Sequence, residues 1–467
     1  MGQILTLNSN NLKIHMIGIG GISMSGLAEI LMHKNVTITG SDINDSEIIQ
    51  HLRNKGAVIY NNHDAENIRD QNLVVYTAAV SQDNPEIVKA KKLGIPVIER
   101  ADLLGAIMDQ FSESIAVSGT HGKTTTTSMI SSIALEAGKD PTIHVGGILD
   151  LIGGNTRIGN SQCFIAEACE YKNSFLKFRP YLAVLLNIDS DHLDFFRNID
   201  HIRSSFEAFL GNVRNPGYIV LNMDDPQTKT LSKGLSRSFI SYGIHSAGTD
   251  WTADDITIKE GYSSFKVIYR NSLWGQITLG VPGAHNISNA LAAIAACHAI
   301  CIPKDAIVRG LEKFTGAKRR LEDKGTVNGV RVMDDYAHHP TEIQATLNAA
   351  RSLTVGKLIC VFQPHTYTRT YELLDDFSRA FALCDTVIVT DIYAAREKDT
   401  GIINSRTLTD RINVNSGNAV YLSTFEEVIN YLSENTNQGD LVLTMGAGTI
   451  YRAGEMFLAT HKECSLP

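Results

Sequence analysis

Residues Ser118-Gly119-Thr120-His121-Gly122-Lys123-Thr124-Thr125 constrain this chain more than any other stretch. An apolar run, 115–117, leads into them, and a helix-forming run, 124–137, follows. A glycine loop with a Gly-Lys-Thr core in that setting is a phosphate-binding turn between a buried strand and a helix, and such turns belong to parallel α/β sheets. The common form, G-x-x-x-x-G-K-[ST], needs a glycine five residues before Gly122. That position is Val117, and the nearest glycine is Gly119, so this loop is a shorter one. The backbone N–H groups of Thr120 to Thr124 are placed to face an anion, with the helix dipole adding to the field. Lys123 supplies a mobile positive charge for β- and γ-phosphates, and Thr124 offers an oxygen to Mg²⁺.

Strands and helices alternate on both sides of the loop. Strands are expected at 12–17, 36–39, 74–76 and 95–98, with a helix at 23–33. A second block runs from about residue 108, with strands at 115–117, 163–166, 182–186 and 218–221 and a helix at 284–299. Residues 250–280 alternate polar and apolar without helical period, which predicts an antiparallel excursion at the block's edge. A third block starts near residue 316, with strands at 329–333, 357–362, 386–390 and 441–444 and helices at 341–352, 371–383 and 425–433. The pattern predicts an α/β protein of three domains, each a mainly parallel sheet flanked by helices.

The 467 residues suffice for several cores, and the interspersed charges, net -8, give no electrostatic reason to expect nucleic acid or an anionic membrane as partner. No apolar run reaches the length of a membrane span, and no signal peptide is evident. Gly2 with Thr6 meets only a weak myristoylation pattern. The seven cysteines are scattered and complete no zinc site; they read as reduced thiols of a cytoplasmic protein.

Other polar groups collect where strands end. Gly18-Ile19-Gly20-Gly21-Ile22-Ser23 is a dinucleotide-type glycine turn with Ser23 in place of its third glycine, and Asp42 lies 24 residues beyond Gly18. A dehydrogenase is one reading of that turn, and a nucleotide-sugar diphosphate fits the same geometry. Glu167 and Glu170 follow one strand; Asp189, Asp191, His192 and Asp194 follow the next, offering metal ligands on the edge where the phosphate loop opens. His285 and Asn286 open a helix, where they could face a base, and Asn286 and Asn289 could equally serve as caps. The stretches 334–340, 362–369 and 391–397 place His338, His339, His365, Arg369 and Arg396 at three successive strand ends, a polar crevice for a small charged ligand.

Taken in order, GIGGISMSGLA, GSD, SGTHGKTTTT, AEACE, NIDSDHLDFF, GAHNISNALAA, GAKRR, DDYAHHPTEI and QPHTYTRT resemble the Mur ligase family across residues 12 to 455. The resemblance implies a UDP-sugar-binding Rossmann-like domain (1–107), a central P-loop ATPase-like domain (108–315) and a C-terminal Rossmann-like domain (316–467) for the incoming amino acid. It assigns Gly18, Gly20, Gly21, Ile22, Ser23, Ser41, Asp42, Thr77 and Ala78 to the UDP-sugar. It assigns Gly119, Thr120, His121, Gly122, Lys123, Thr124, Thr125, His285, Asn286, Arg320 and Asp335 to ATP. Thr124, Glu167 and His192 are the implied metal ligands. Ser23 and Cys169 depart from the family's glycine and aspartate, and the second departure favours Glu167 with His192 over Glu170. His339, His365, Arg369 and Arg396 are the implied amino-acid contacts, and Lys123, His192, His338 and His339 the catalytic set. The implied chemistry is ATP- and Mg²⁺-dependent joining of L-alanine to the lactyl carboxylate of UDP-N-acetylmuramate through an acyl phosphate. A murein tripeptide is the alternative acceptor, and a cytoplasmic monomer or weak homodimer the implied state. An NAD-linked oxidoreductase and a non-catalytic nucleotide sensor are the rivals from other classes. His338, His339 and His365 stand as candidate bases for the amine proton.

Overall fold

The computed structural model describes residues 12–77 and 79–462; Gly2, Thr6, Ala78 and Cys464 lie outside them. The chain forms two compact units. One comprises Met1–Ile188, Asp200–Ser241 and Ala292–Ile307; the other comprises Asp189–Ile199, Tyr242–Leu291 and Val308–Pro467.

The first unit carries a parallel sheet and the mainly parallel part of a ten-stranded one. Strands β1 (Lys13–Ile17), β2 (Thr37–Ser41), β3 (Val58–Tyr60), β4 (Leu73–Tyr76) and β5 (Val97–Glu99) pair in the order β3-β2-β1-β4-β5. The chain steps outward from β1 to β3, then returns to the other side for β4. That reversal opens a crevice beyond the ends of β1 and β4, where ligands of doubly wound sheets bind. Gly18 and Thr77 follow those two ends, level with each other because Ile17 pairs with Tyr76. The second sheet holds β6 (Glu113–Ser118), β7 (Thr142–Leu149), β8 (Gly154–Arg157), β9 (Cys163–Glu167), β10 (Leu182–Leu185), β11 (Tyr218–Asn222) and β12 (Ile240–Tyr242), in the order β12-β11-β10-β6-β9-β7-β8. The sequence reading missed β3 and the antiparallel β7–β8 hairpin. The central strand β6 is buried from Ser114 to Ser118, so its expected apolar character is that of a strand covered on both faces.

The second unit opens with the expected antiparallel strands, β13 (Trp251–Lys259), β14 (Tyr262–Tyr269) and β15 (Ser272–Pro282). Its mainly parallel sheet runs β16-β17-β21-β18-β19-β20, from β16 (Glu322–Val327), β17 (Val330–Asp335), β18 (Leu358–Phe362), β19 (Thr386–Val389), β20 (Ala419–Tyr421) and β21 (Leu441–Met445). β16 was not expected and pairs antiparallel with β17. Asn328 and Gly329, both at positive φ (50° and 77°), make the two-residue turn between them, a turn type that favours Asn-Gly. The alternate residues of β18 divide the core. Cys360 and Phe362 pack with Phe377 and Phe381 on one face, and Ile359 and Val361 pack with Ile450 and Phe457 on the other. The single helix expected over 371–383 is two short ones, Tyr367–Glu372 and Leu374–Arg379. Leu373, at φ -106° and ψ 21°, leaves helical geometry between them.

Candidate active site

The phosphate loop leaves β6 with Gly119 at φ 139°, where a Cβ would stand 2.9 Å from Leu186 Cβ. Gly122, at φ 83°, is the N-cap of the helix Lys123–Glu136, and no side chain caps it. The first N–H groups of that helix therefore have no intrahelical acceptor and point outward. Asn187, beyond β10, clamps the loop. Its carbonyl accepts from Thr120 N–H (3.1 Å), its Oδ1 accepts from His121 N–H (2.8 Å), and its amide donates to His121 O (3.1 Å). Here the structure differs from the sequence expectation. The N–H groups of Thr120 and His121 are engaged by Asn187, so the anion-facing donors are those from Gly122 through Thr125.

Lys123 rests inside its own loop. Its Nζ donates to Gly119 O (2.5 Å), Thr120 O (2.9 Å) and the Glu170 carboxylate (3.0 Å). Burial opposes the ammonium charge, but Glu170 outweighs it and holds the Lys123 pKa above its ordinary value. Glu170 is thus the lysine's counter-charge. The neighbouring Cys169 thiol is pushed up to about 11 by burial and by Glu170, so it stays protonated.

Thr124 and Glu167 both stand against the glycine pair of β7, Gly146 and Gly147, and Glu167 Oε1 accepts from Gly146 N–H (2.6 Å). A Cβ at Gly146 would come 3.0 Å from Glu167 Oε2, and one at Gly147 would come 3.2 Å from Thr124 Cγ2. A hydroxyl and a carboxylate facing a side-chain-free strand fit Mg²⁺, a hard cation that keeps several waters. His192, the third expected ligand, belongs to the other unit. There it sits at φ 55° with its N–H on Asp191 Oδ1 (2.7 Å).

The first glycine loop is built differently. Gly18, at φ 75°, and Ile19 both donate N–H to Ser41 O, and Gly21 N–H returns to Gly18 O. Asp42 Oδ2 accepts from Gly20 N–H (2.9 Å). A Cβ on Gly18 would strike Thr77 Cγ2 at 2.8 Å, and one on Gly20 would strike Asp42 at 2.9 Å. Ser41 is fully buried, and its hydroxyl donates to Glu86 Oε2 (2.7 Å) beside His63. Ser41 therefore supports the loop from behind rather than facing a ligand, and Asp42 spends one oxygen on the loop backbone. Gly21 caps the helix Ile22–His33 without a side-chain bond, and Ile22 is exposed beside it. Ser23 Oγ lies 2.8 Å from His144 Nε2 and accepts from Arg100 Nη1 at 2.9 Å. Neither Arg100 nor His144 was singled out from the sequence.

The second unit gathers the remaining groups. Asp335 accepts the Leu321 and Ala337 N–H groups, both at 2.8 Å. Burial, partly offset by Arg320, raises its pKa to about 6. Both its oxygens serve the backbone, which differs from the expected ATP contact. Arg320 stacks over Tyr336 (5.4 Å). Burial, and then the charge of Arg320, lowers His285 to about 4, so its ring is neutral. Asn286 donates to Pro282 O (2.7 Å) and accepts from Asn289 (3.0 Å), so its amide works within its own helix start.

His339 is the N-cap of the helix Pro340–Leu353. Its Nδ1 accepts from Thr341 N–H (3.3 Å), and Nε2 donates to Ser190 O (3.1 Å). With both ring nitrogens engaged, His339 is a structural cap rather than a base. His338 Nδ1 donates to Tyr336 O (3.0 Å), which leaves Nε2 as its basic nitrogen. Burial pushes His338 down to about 3 and His365 to about 4, so both rings are neutral near pH 7. Arg369 donates through Nε and Nη2 to Asp191 Oδ1 (3.1 and 2.8 Å) and through Nη1 to His365 Nδ1 (3.1 Å). Burial alone would raise Asp191, yet Arg369 and then His192 hold it well below the carboxylate range. Asp191, His192, Arg369, Thr366 and Glu397 line a small open cleft. Thr366 is at φ 66°, sparsely populated for a residue with a side chain, and such strain gathers at ligand sites. Arg396 is exposed and makes no contact with this group among the described residues.

The comparisons agree with one another. The family model described as "Mur ligase family, catalytic domain" matches residues 13–112, "Mur ligase middle domain" matches 117–297, and "Mur ligase, glutamate ligase domain" matches 319–448. A UDP-N-acetylmuramate–L-alanine ligase from Acetivibrio thermocellus is 56% identical over 460 residues, covering 98% of each chain. The enzyme of that name from Caldanaerobacter subterraneus subsp. tengcongensis is 52% identical, covering 97% of this chain and 98% of its own. Among solved structures, the UDP-N-acetylmuramate–alanine ligase of Thermotoga maritima superposes with a TM-score of 0.82 at 28% identity, covering 97% of this chain and 100% of its own. A murein peptide ligase from Psychrobacter arcticus gives 0.72 at 25% identity, with 96% and 98% covered. The chain belongs to the Mur ligase family.

Proposed function

We infer that this Mur ligase joins L-alanine to the lactyl carboxylate of UDP-N-acetylmuramate, giving UDP-N-acetylmuramoyl-L-alanine, ADP and phosphate in peptidoglycan precursor synthesis. The observation that carries this is the 56% identity over 98% of both chains to a ligase of that specificity. The murein tripeptide reading has a structural neighbour at 25% identity and is not favoured.

The division of labour we propose gives the sugar nucleotide to residues 1–107, ATP to 108–315 and the amino acid to 316–467. Bound ATP supplies the phosphoryl group that converts the carboxylate to an acyl phosphate, and bound Mg²⁺ neutralises the charge that develops. The residues around them position and screen. The uncapped N-terminus at Gly122–Thr125 offers donors to the phosphates, and Lys123 turns to them from Gly119 O and Thr120 O. Thr124 and Glu167 would hold the cation. Gly18, Gly20, Gly21, Ile22 and Ser23 cradle the sugar-nucleotide diphosphate, with Thr77 and Asp42 closing that crevice. Arg369, with the neutral rings of His338 and His365 beside it, orients the alanine.

Purified protein given ATP, Mg²⁺, UDP-N-acetylmuramate and L-alanine is expected to release phosphate and add one alanine mass to the sugar nucleotide. Phosphate release that requires the tripeptide and ignores alanine would overturn the reading.

A further inference from the structure

Arg100 follows β5 directly and opens the helix Arg100–Met108. Tyr76 pairs with Glu99, and Ile17 with Tyr76, so Arg100 emerges level with Thr77 and Gly18 on the crevice edge of the first sheet. Its one hydrogen bond among the described residues runs from Nη1 to Ser23 Oγ. Ser23 is the second residue of the helix whose N-cap, Gly21, has no side-chain bond. A guanidinium carries five N–H donors. No carboxylate forms an ion pair with Arg100 among the described residues, and burial lowers its pKa. A partly buried cation beside a helix start with no side-chain cap favours an anion.

The guanidinium is also fixed in place. Burial, and then Arg100 itself, pushes His144 down to about 3, so the ring is neutral and its Nε2 accepts from the Ser23 hydroxyl. His144 Nδ1 is then the donor to Thr156 Oγ1 (3.0 Å). Ser23 Oγ, its proton committed to His144, accepts from Arg100. Gly26 makes room for this chain: a Cβ there would lie 2.0 Å from Thr156 Oγ1 and 3.1 Å from His144 Cε1. A glycine in the position of Ser23 would have no hydroxyl with which to aim Arg100.

We propose that Arg100 binds the diphosphate of the sugar nucleotide at the first glycine loop, aimed by the Ser23–His144–Thr156 chain. This rests on that loop being the sugar-nucleotide site. The loop itself brings backbone donors and no cation, so Arg100 supplies the charge that two phosphates need.

Titration of the full-length enzyme with UDP and with UDP-N-acetylmuramate separates the diphosphate from the lactyl carboxylate. Arg100→Ala is expected to weaken both by a similar factor, about tenfold to a hundredfold, the range of a charge-assisted hydrogen bond. The KM for ATP should stay unchanged. Arg100→Lys should recover part of the loss. Ser23→Ala, which keeps the cation but not its anchor, should show the same pattern more weakly, and its unliganded melting temperature reports whether the fold survives. Loss of UDP-N-acetylmuramate affinity with UDP affinity intact would assign Arg100 to the carboxylate and overturn the proposal, as would unchanged affinity for both. Wild-type enzyme that binds neither compound would instead overturn the sugar-nucleotide reading beneath it.

Discussion

The first unit contains two glycine loops of the same plan, each between a parallel strand and a helix with no side-chain cap. They solve the charge problem in opposite ways. The loop after β6 carries its own cation, Lys123, and keeps it neutralised by Glu170. The loop after β1 carries none and has Arg100 beside it from another strand end. Each also uses an acid differently: Asp42 holds a backbone N–H of its loop, whereas Glu170 holds a side chain. On the proposed reading, the phosphate to be transferred would meet Lys123, held within its own loop, and the phosphates that only anchor a substrate would meet Arg100, fixed by a hydrogen-bonded chain.

Four experiments would break or sharpen that contrast. Lys123→Ala is expected to lower kcat by on the order of 10³-fold or more, the scale of losing a transition-state cation, with UDP affinity unchanged. A matching loss of UDP affinity would show that the loops are not independent. Glu170→Ala leaves Lys123 buried without its counter-charge, and urea unfolding should show a loss of about 3 kcal/mol. Asp42→Ala releases Gly20 N–H and should raise the KM for the sugar nucleotide about tenfold while sparing the KM for ATP.

The smallest effect concerns pH. The native His144 pKa, about 3, lies below the unfolded value near 6.5. Its share of stability is therefore full above pH 6.5 and is lost as pH falls towards 3, with a slope of at most about 1.4 kcal/mol per pH unit. Melting curves between pH 7 and 4 should decline less steeply for His144→Gln than for the wild type.

Most of the parallel strands were legible in the sequence because they are apolar runs, whereas β3, β12 and β20, each of three residues, were too short to stand out. The sequence also showed both loops and the acidic and imidazole groups at strand ends. What escaped it was partnership. Ser23 looked like a lost glycine, since nothing near it in sequence reveals that His144 and Arg100 converge on its hydroxyl. Asn187 sits in a run of acids and was passed over, although it takes the N–H groups that Thr120 and His121 were expected to offer phosphate. His339 read as a base because a histidine before Pro-Thr gives no sign that both ring nitrogens are spent on a helix cap and a carbonyl. The turn at Asn328-Gly329 was a local signal for β16 that the block pattern obscured.

The three acceptors around Lys123 have a further consequence. An ammonium group has three donors, and in the resting loop each has a partner. A small anion such as sulfate or inorganic phosphate would have to displace a carboxylate to gain one bond of similar strength. A triphosphate with its divalent cation can replace several partners together. The loop therefore filters by charge density, and inorganic phosphate should be a poor competitor of ATP even though the pocket is built to hold phosphate.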